Sequence, residues 1–280
     1  MPSARADTSV ASWEAARLAL AETDPESKCR RVGDLWTAVE SGAWQPSDPG
    51  PPGPLPCGRP DRPKMVPPGQ LPRRGLGSVE GRQALIHAIA HIEFNAINLG
   101  LDAALRFPGM PDAYYRDWLS VAADEARHFA MLSARLQELD MRYGDLPAHN
   151  GLWEMAEKTA HDPLIRMALV PRVLEARGLD VTPGMIAKLR AVGDTQTVAL
   201  LEVILEEEEE HVAIGSRWFR QLCAERGLAP EATFRQLLET YFSGGLRGPF
   251  NFDARRRAGF SAEEIDRLAA MDGVAAAQSD

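Results

Sequence analysis

Two tetrapeptides carry the clearest chemistry in this chain, Glu125-Ala-Arg-His128 and Glu208-Glu-Glu-His211. A helix turns about 100° per residue, so positions three apart share a face and one metal ion can accept both side chains. Each tetrapeptide follows a further glutamate, Glu93 before the first and Glu175 before the second, at gaps of 32 and 33 residues. All four glutamates are centred in apolar stripes. Positions three, four and seven away from Glu93 hold Ile86, Ile89, Ala90, Ala96, Ile97 and Gly100, and those around Glu125 hold Trp118, Val121, Ala122, Phe129 and Leu132. Glu208 has Leu201, Ile204, Leu205, Val212 and Gly215, whereas Glu175 has the least apolar set, Ala168, Pro171, Arg172, Gly178 and Leu179. A lone buried carboxylate is costly or takes up a proton, so four of them directed into one interior need a shared cation. The repeated order reads as a duplicated two-helix unit holding two metal ions, with Glu93, Glu125, His128, Glu175, Glu208 and His211 as the ligands. Oxygen and imidazole donors without thiolate suit Fe or Mn and disfavour an iron–sulfur cluster or a structural zinc site.

Other polar residues receive weaker assignments. In the run Glu206 to Glu210 only Glu208 lies at the stripe centre, with Glu207 the second choice and the rest a solvated face. His87 and His91 share a face turned away from Glu93 and are expected to make surface or supporting polar contacts, with an extra metal or substrate contact as the alternative. Asp124 is a candidate to orient a ligating histidine on a neighbouring helix. Arg172, one turn before Glu175, is a candidate to balance the carboxylates or to meet a substrate anion. Arg255-Arg256-Arg257 reads as a solvated basic turn, with an anion or RNA contact as the alternative.

The elements that must position these residues follow from caps and breaks. Residues 9 to 42 read as two short helices broken at Asp24-Pro25. Residues 45 to 77 hold most of the 21 prolines and read as an extended segment, either a plain connection or one that wraps over the next domain. A helix begins at Ser78 and runs to about Arg106, where Pro108 stops it. Pro111 to Tyr143 forms the second, and residues 149 to 161 a short helical stretch. Asp162-Pro163 starts a third long helix, 163 to 178, kinked at Pro171. Thr182-Pro183 starts a short helix to about Val192. Asp194 caps a very long helix, 195 to 226, ended by Gly227. Pro230 to Phe242, a glycine-rich break and a last helix opened by a Ser261/Glu264 capping box complete the chain. No alternating strand pattern occurs. The expected class is all-α, divided into an N-terminal helical and proline-rich extension (1–77), a four-helix bundle (78–228) and a C-terminal helical cap (229–280).

Composition narrows the function classes. At 280 residues the chain can bury a large core without disulfide or zinc staples. Forty acidic against 31 basic residues leave a formal charge of −9, which argues against a general nucleic-acid or anionic-membrane binder. Three scattered cysteines argue against a disulfide framework. With no signal-peptide core and no long uncharged apolar run, the expectation is a cytoplasmic protein that does not span a membrane.

The segments PRRGLGSVEGR, HAIAHIEFNAINLGLDAA, DEARHF, VPRVLEARGLDVTPGM, EEEEHV and GPFNFDARRRAGF resemble the bacterial ferritin-like family known as domain of unknown function 455. More distantly, the duplicated pattern is similar to tRNA-modifying di-iron hydroxylases and rubrerythrins. The resemblance covers nearly the whole chain and all six ligand candidates. It implies a ferritin-like four-helix bundle with duplicated halves and a metal site, but no assigned reaction. The expected activity is an O₂- or peroxide-dependent oxidoreductase, of hydroxylase or oxidase type, acting on a small substrate with an external electron donor, as a monomer or dimer. The alternatives are metal handling without turnover of an organic substrate and a non-catalytic metal-binding or scaffold protein.

Overall fold

The computed structural model describes residues 3–71, 75–242 and 245–277. The described residues are helical with irregular connections, and their one β-type pairing is an isolated parallel bridge between Met65 and Ala148. Residues 72–74, in the proline-rich segment, and 243–244, in the glycine-rich break, lie outside the described residues. The chain divides into two compact units, 1–154 and 155–280.

The first unit is built on α3 (Val79–Arg106) and α4 (Asp112–Glu138), preceded by α1 (Ser3–Ala21) and α2 (Pro25–Glu40). Ser78 starts α3 as anticipated, its Oγ accepting the Gly81 N–H at 3.1 Å. Gln83, early in α3, donates to Leu139 O at the end of α4 at 2.6 Å, while Gly100, late in α3, abuts Trp118 and Ala122. The two helices are therefore antiparallel. Gly100 marks the closest approach, since a Cβ there would stand 3.0 Å from Ala122 Cβ and Trp118 O. An 18-residue window of α3 is apolar enough for a membrane span, but 78% of that window is buried inside the protein. The apolarity belongs to a core helix.

The second helix ends five residues earlier than its pattern suggests. Asp140 takes φ +56°. Its N–H bonds Gln137 O at 3.0 Å, and the Met141 N–H bonds Leu136 O at 2.9 Å. This is a Schellman closure with aspartate where glycine is usual, so the stop is inconspicuous in the sequence and Tyr143 falls in the loop beyond.

Lys28 ties three helices of this unit together. It is fully buried, and its Nζ donates at 2.8 Å to Ala19 O and Leu20 O in the last turn of α1 and to Asn98 Oδ1 on α3. An ammonium has three protons to donate, and a helix C-terminus favours a positive charge. Burial lowers its pKa to about 8, which leaves it mainly charged at neutral pH. The proline-rich segment wraps this unit rather than merely connecting. Trp44 packs edge-on against Trp13, the Trp13 indole donates to Ser47 O at 3.1 Å, and the Gly58 N–H bonds Leu20 O at 2.8 Å. A Cβ at Gly58 would lie 2.1 Å from Ala21 O, so the backbone passes there at glycine-only distance. Arg59 then bonds Asn150 and lies over Trp153, and Val66 and Lys64 pair with Ala148.

The second unit is built on a helical run from Pro163 to Ala191 and on α8 (Thr195–Glu225), with α5 (Gly151–Lys158) at its boundary. Contrary to the expected break at Thr182-Pro183, the run is continuous. It comprises α6 (Pro163–Leu169), a wide π turn (Val170–Glu175) and α7 (Ala176–Ala191), which contains Pro183. Proline at 183 leaves the Leu179 carbonyl without its usual helical partner. The Asn251 side-chain amide donates to that carbonyl at 3.2 Å, and the Asn251 N–H bonds Asp180 Oδ1 at 2.9 Å, so α7 survives. Arg172 bonds Ser216 and Arg190 bonds Glu202, which sets α8 antiparallel to this run. Asp194 caps α8 as expected, and Gly227, at φ +64°, ends it. Helices α9 (Pro230–Tyr241), α10 (Phe252–Arg257) and α11 (Ala262–Ala277) follow. The capping box opens α11, with Ser261 N–H on Glu264 Oε2 at 2.8 Å and Glu264 N–H on Ser261 Oγ at 3.3 Å.

Replacing Lys28 by Met would strand two carbonyls and an amide oxygen in a buried place. We expect the variant to lose about 2–4 kcal/mol of stability in denaturant titration. A loss below about 0.5 kcal/mol would show that these acceptors find other donors.

Candidate metal centre

In the first unit, Glu93 at mid-α3 and Glu125 with His128 at mid-α4 face one another. Their exposures are 3%, 0% and 0%. His128 Nδ1 lies 3.3 Å from Glu93 Oε2 and 3.4 Å from Glu125 Oε2. One ligand atom from each of the three residues lies within 4.8 Å of the others. Donors bound at about 2.0–2.2 Å to one ion stand no more than roughly 4.4 Å apart, so a cation would need to draw these groups in only slightly. This buried Glu/His group could hold a metal ion. Its electrostatics in the protein alone are those of a partly compensated charge cluster, two carboxylates against one imidazole. Burial disfavours the imidazolium, but hydrogen bonds and charge from Glu125 and Glu93 outweigh it and hold the His128 pKa up at about 11.

The surroundings are apolar on one side and hydrogen-bonded on the other. Phe94 and Phe129, each next in sequence to a member of the group, meet edge-on at 5.5 Å and both pack against Tyr143. His87 and His91 are not surface residues, being 1% and 6% exposed. His87 Nε2 accepts the Gly144 N–H at 2.9 Å. His91 is bonded to Tyr143 Oη at 2.8 Å and to His149 O at 3.1 Å. Both histidines anchor the loop after α4, and burial lowers both pKa values to about 4. Asp124 is half-buried and pairs with Arg127 one turn later at 2.8 Å.

In the second unit, Glu208 and His211 lie on the buried face of α8, with His211 Nδ1 3.8 Å from Glu208 Oε2. Glu175, also buried, occupies the last position of the π turn. Glu206 and Glu210 are exposed, Glu207 and Glu209 are half-buried, and Glu209 pairs with Arg257 at 2.7 Å, so Glu208 is the one buried residue of the acidic run. Arg172 does not neutralise Glu175 as an ion-pair partner. Its guanidinium pairs with Glu264 at 2.7 Å and sits 4.2–4.7 Å from the ring centres of Phe219, Phe234 and Phe260. The basic run is also consumed internally. Arg255 is buried on Asp180 at 2.7 Å, and Arg256 pairs with Asp253. Two features escaped the sequence reading, the π turn and the buried Lys28. Pro171 inside an apolar helical pattern signalled the first, and nothing in the periodicity signalled the second.

A family described as "Protein of unknown function (DUF455)" matches residues 21–266. An uncharacterized protein of Haemophilus influenzae is 43% identical over 265 residues, covering 91% of this chain and 92% of that protein. No solved structure matches the chain.

The two buried histidines make an acid-stability test. His87 titrates near 4 when folded against 6.5 as a free group, so the unfolded chain takes up the proton first. Its contribution to stability is complete above about 6.5 and is lost as pH falls toward 4. Denaturant midpoints should fall across that window. His87→Gln, whose carbonyl oxygen can still accept from Gly144, should flatten part of the fall. A profile parallel to that of the parent protein would count against a neutral, buried His87.

Proposed function

The chain belongs to the DUF455 family of proteins of unknown function, and we propose from its own buried groups that it is a dinuclear Fe or Mn carboxylate protein acting as an O₂- or peroxide-dependent oxidoreductase on a small substrate. The observation that carries this reading is the buried Glu93, Glu125 and His128 group on one antiparallel helix pair. It is matched in order and residue type by Glu175, Glu208 and His211 on a second pair. In this reading the two pairs form a ferritin-like four-helix bundle, and each contributes one carboxylate-and-histidine set. The bound metals would supply redox chemistry toward O₂ or peroxide. The protein's part is to present the oxygen and nitrogen donors, to compensate their burial, and to keep water away with Phe94, Phe129, Trp118 and Leu132, all buried on α3 and α4. Such walls favour a substrate, or a portion of one, that is itself apolar. Turnover would need an external electron donor.

A second reading, a non-catalytic metal-binding or scaffold protein, is favoured by one observation. His128 Nδ1 stands within 3.4 Å of carboxylate oxygens of both Glu93 and Glu125, and a proton on it would offset one of the two carboxylate charges, which lowers the cost of burying this set without a metal.

Elemental analysis after anaerobic loading separates the two. Two equivalents of Fe(II) or Mn(II) per chain are expected. Glu125→Ala and Glu208→Ala should abolish stoichiometric binding, and Glu206→Ala and Glu210→Ala should leave it intact. The Fe(II)-loaded protein should oxidise within seconds in air-saturated buffer, read by stopped-flow absorbance. Protein that binds no metal supports the scaffold. Loaded protein that stays reduced for hours sinks the O₂-dependent reading.

A further inference from the structure

The π turn at Val170–Glu175 interrupts the 163–191 helix and holds Glu175 at its end. Such wide turns are rare against the regular α-helix and cluster at functional sites. Three features maintain this one. Pro171 has no N–H to return to the preceding turn, and the Ala176 N–H reaches Pro171 O in the wide i to i+5 bond. The proline ring fits because residue 215 is glycine; a Cβ there would lie 2.3 Å from Pro171 Cγ. The next residue, Arg172, is gripped from several sides. Its Nη2 donates to Glu264 Oε1 at 2.7 Å and its Nε to Ser216 Oγ at 3.2 Å. Three phenyl rings, from α8, from α9 and from the residue before α11's capping box, enclose its guanidinium.

A helical register change of one residue swings a side chain by about 100°. With Arg172 gripped, Glu175 three residues later has a fixed direction only while the wide turn lies between them. Relaxation of that turn to regular helix would rotate Glu175 out of the interior. We infer that Arg172 is the positioning residue for Glu175, and that α11, through Glu264, determines whether the second carboxylate-and-histidine set can bind its metal ion. This rests on the dinuclear reading above, and it assigns the C-terminal helices a role in the site that their distance in sequence conceals.

The test loads Fe(II) or Mn(II) anaerobically and measures bound equivalents and affinities, with circular dichroism to confirm folding. Arg172→Lys keeps a cation among the rings but loses the two-point grip. It should bind the first equivalent normally and the second about 10–100-fold more weakly, the range found when a group supporting a metal ligand is removed. Glu264→Gln should shift the second equivalent in the same direction. Arg255→Lys is the control. Arg255 is equally buried, shares the Phe260 ring and is held by Asp180 at 2.7 Å, but it lies outside the π turn, so both equivalents should remain. Parent protein without stoichiometric metal would sink the dinuclear reading itself. Parent protein with two equivalents, and folded Arg172→Lys and Glu264→Gln that bind both unchanged, would overturn this inference alone. Weakening of the second equivalent in Arg255→Lys as well would also overturn it, because general loosening of the C-terminal helices would then be the cause. If Arg172→Lys does not fold, Glu264→Gln, which preserves shape and a neutral acceptor, decides.

Discussion

Ionised groups inside an apolar helical protein must each be matched by opposite charge or by hydrogen bonds, and much of this structure is arranged by that requirement. An unmatched carboxylate or ammonium in such surroundings would shift its pKa until it was neutral or would unfold the site. In the first unit, Glu93 and Glu125 meet His128, and Lys28 meets two helix-end carbonyls and an asparagine. In the second, Arg172 meets Glu264 and Arg255 meets Asp180, both among phenyl rings. These pairs are weak evidence for stability, since replacement by apolar residues is often neutral. What they do provide is geometry. Each of the last three joins segments far apart in the chain at one defined register.

The second unit shows how backbone defects are absorbed by the same means. Pro171 and Pro183 each remove a helical hydrogen bond. At 171 the helix widens into a π turn and a glycine on α8 gives way to the ring. At 183 the helix stays regular because Asn251, from the N-terminus of α10, supplies a donor to the freed carbonyl. A local rule that reads proline as a helix stop is sound for the isolated segment. It fails at 183 because a donor arrives from about seventy residues away.

The proline-rich stretch has a comparable logic. Proline has no backbone N–H, so the segment is attached through the carbonyl of Ser47, the amides of Gly58 and Val66 and the side chain of Arg59. The other described residues of the segment are largely exposed. Its only regular structure among the described residues is a short 3-10 turn at Pro68–Gln70 and the isolated bridge at Met65.

The sequence by itself determined the all-helical class, most helix starts, and the burial of the four glutamates centred in apolar stripes and of the histidine three residues after two of them. Those properties depend on local rules: three-residue spacing on one helix face, side-chain oxygens that cap a first turn, and apolar stripes that must be buried. Thus Ser78, Asp162 and Asp194 cap where they were expected to, and Glu208 is buried while Glu206 and Glu210 are not. Only the tertiary structure decided the continuity of the 163–191 helix, the early end of α4 at an aspartate, the burial of Lys28, His87 and His91, and the internal use of the Arg255-Arg256-Arg257 run. Each of these turns on a partner brought from elsewhere in the chain, or on a backbone conformation that the residue type only weakly favours. Helical periodicity records which face of a helix is apolar, but it carries no information about which distant donor or acceptor will be waiting there.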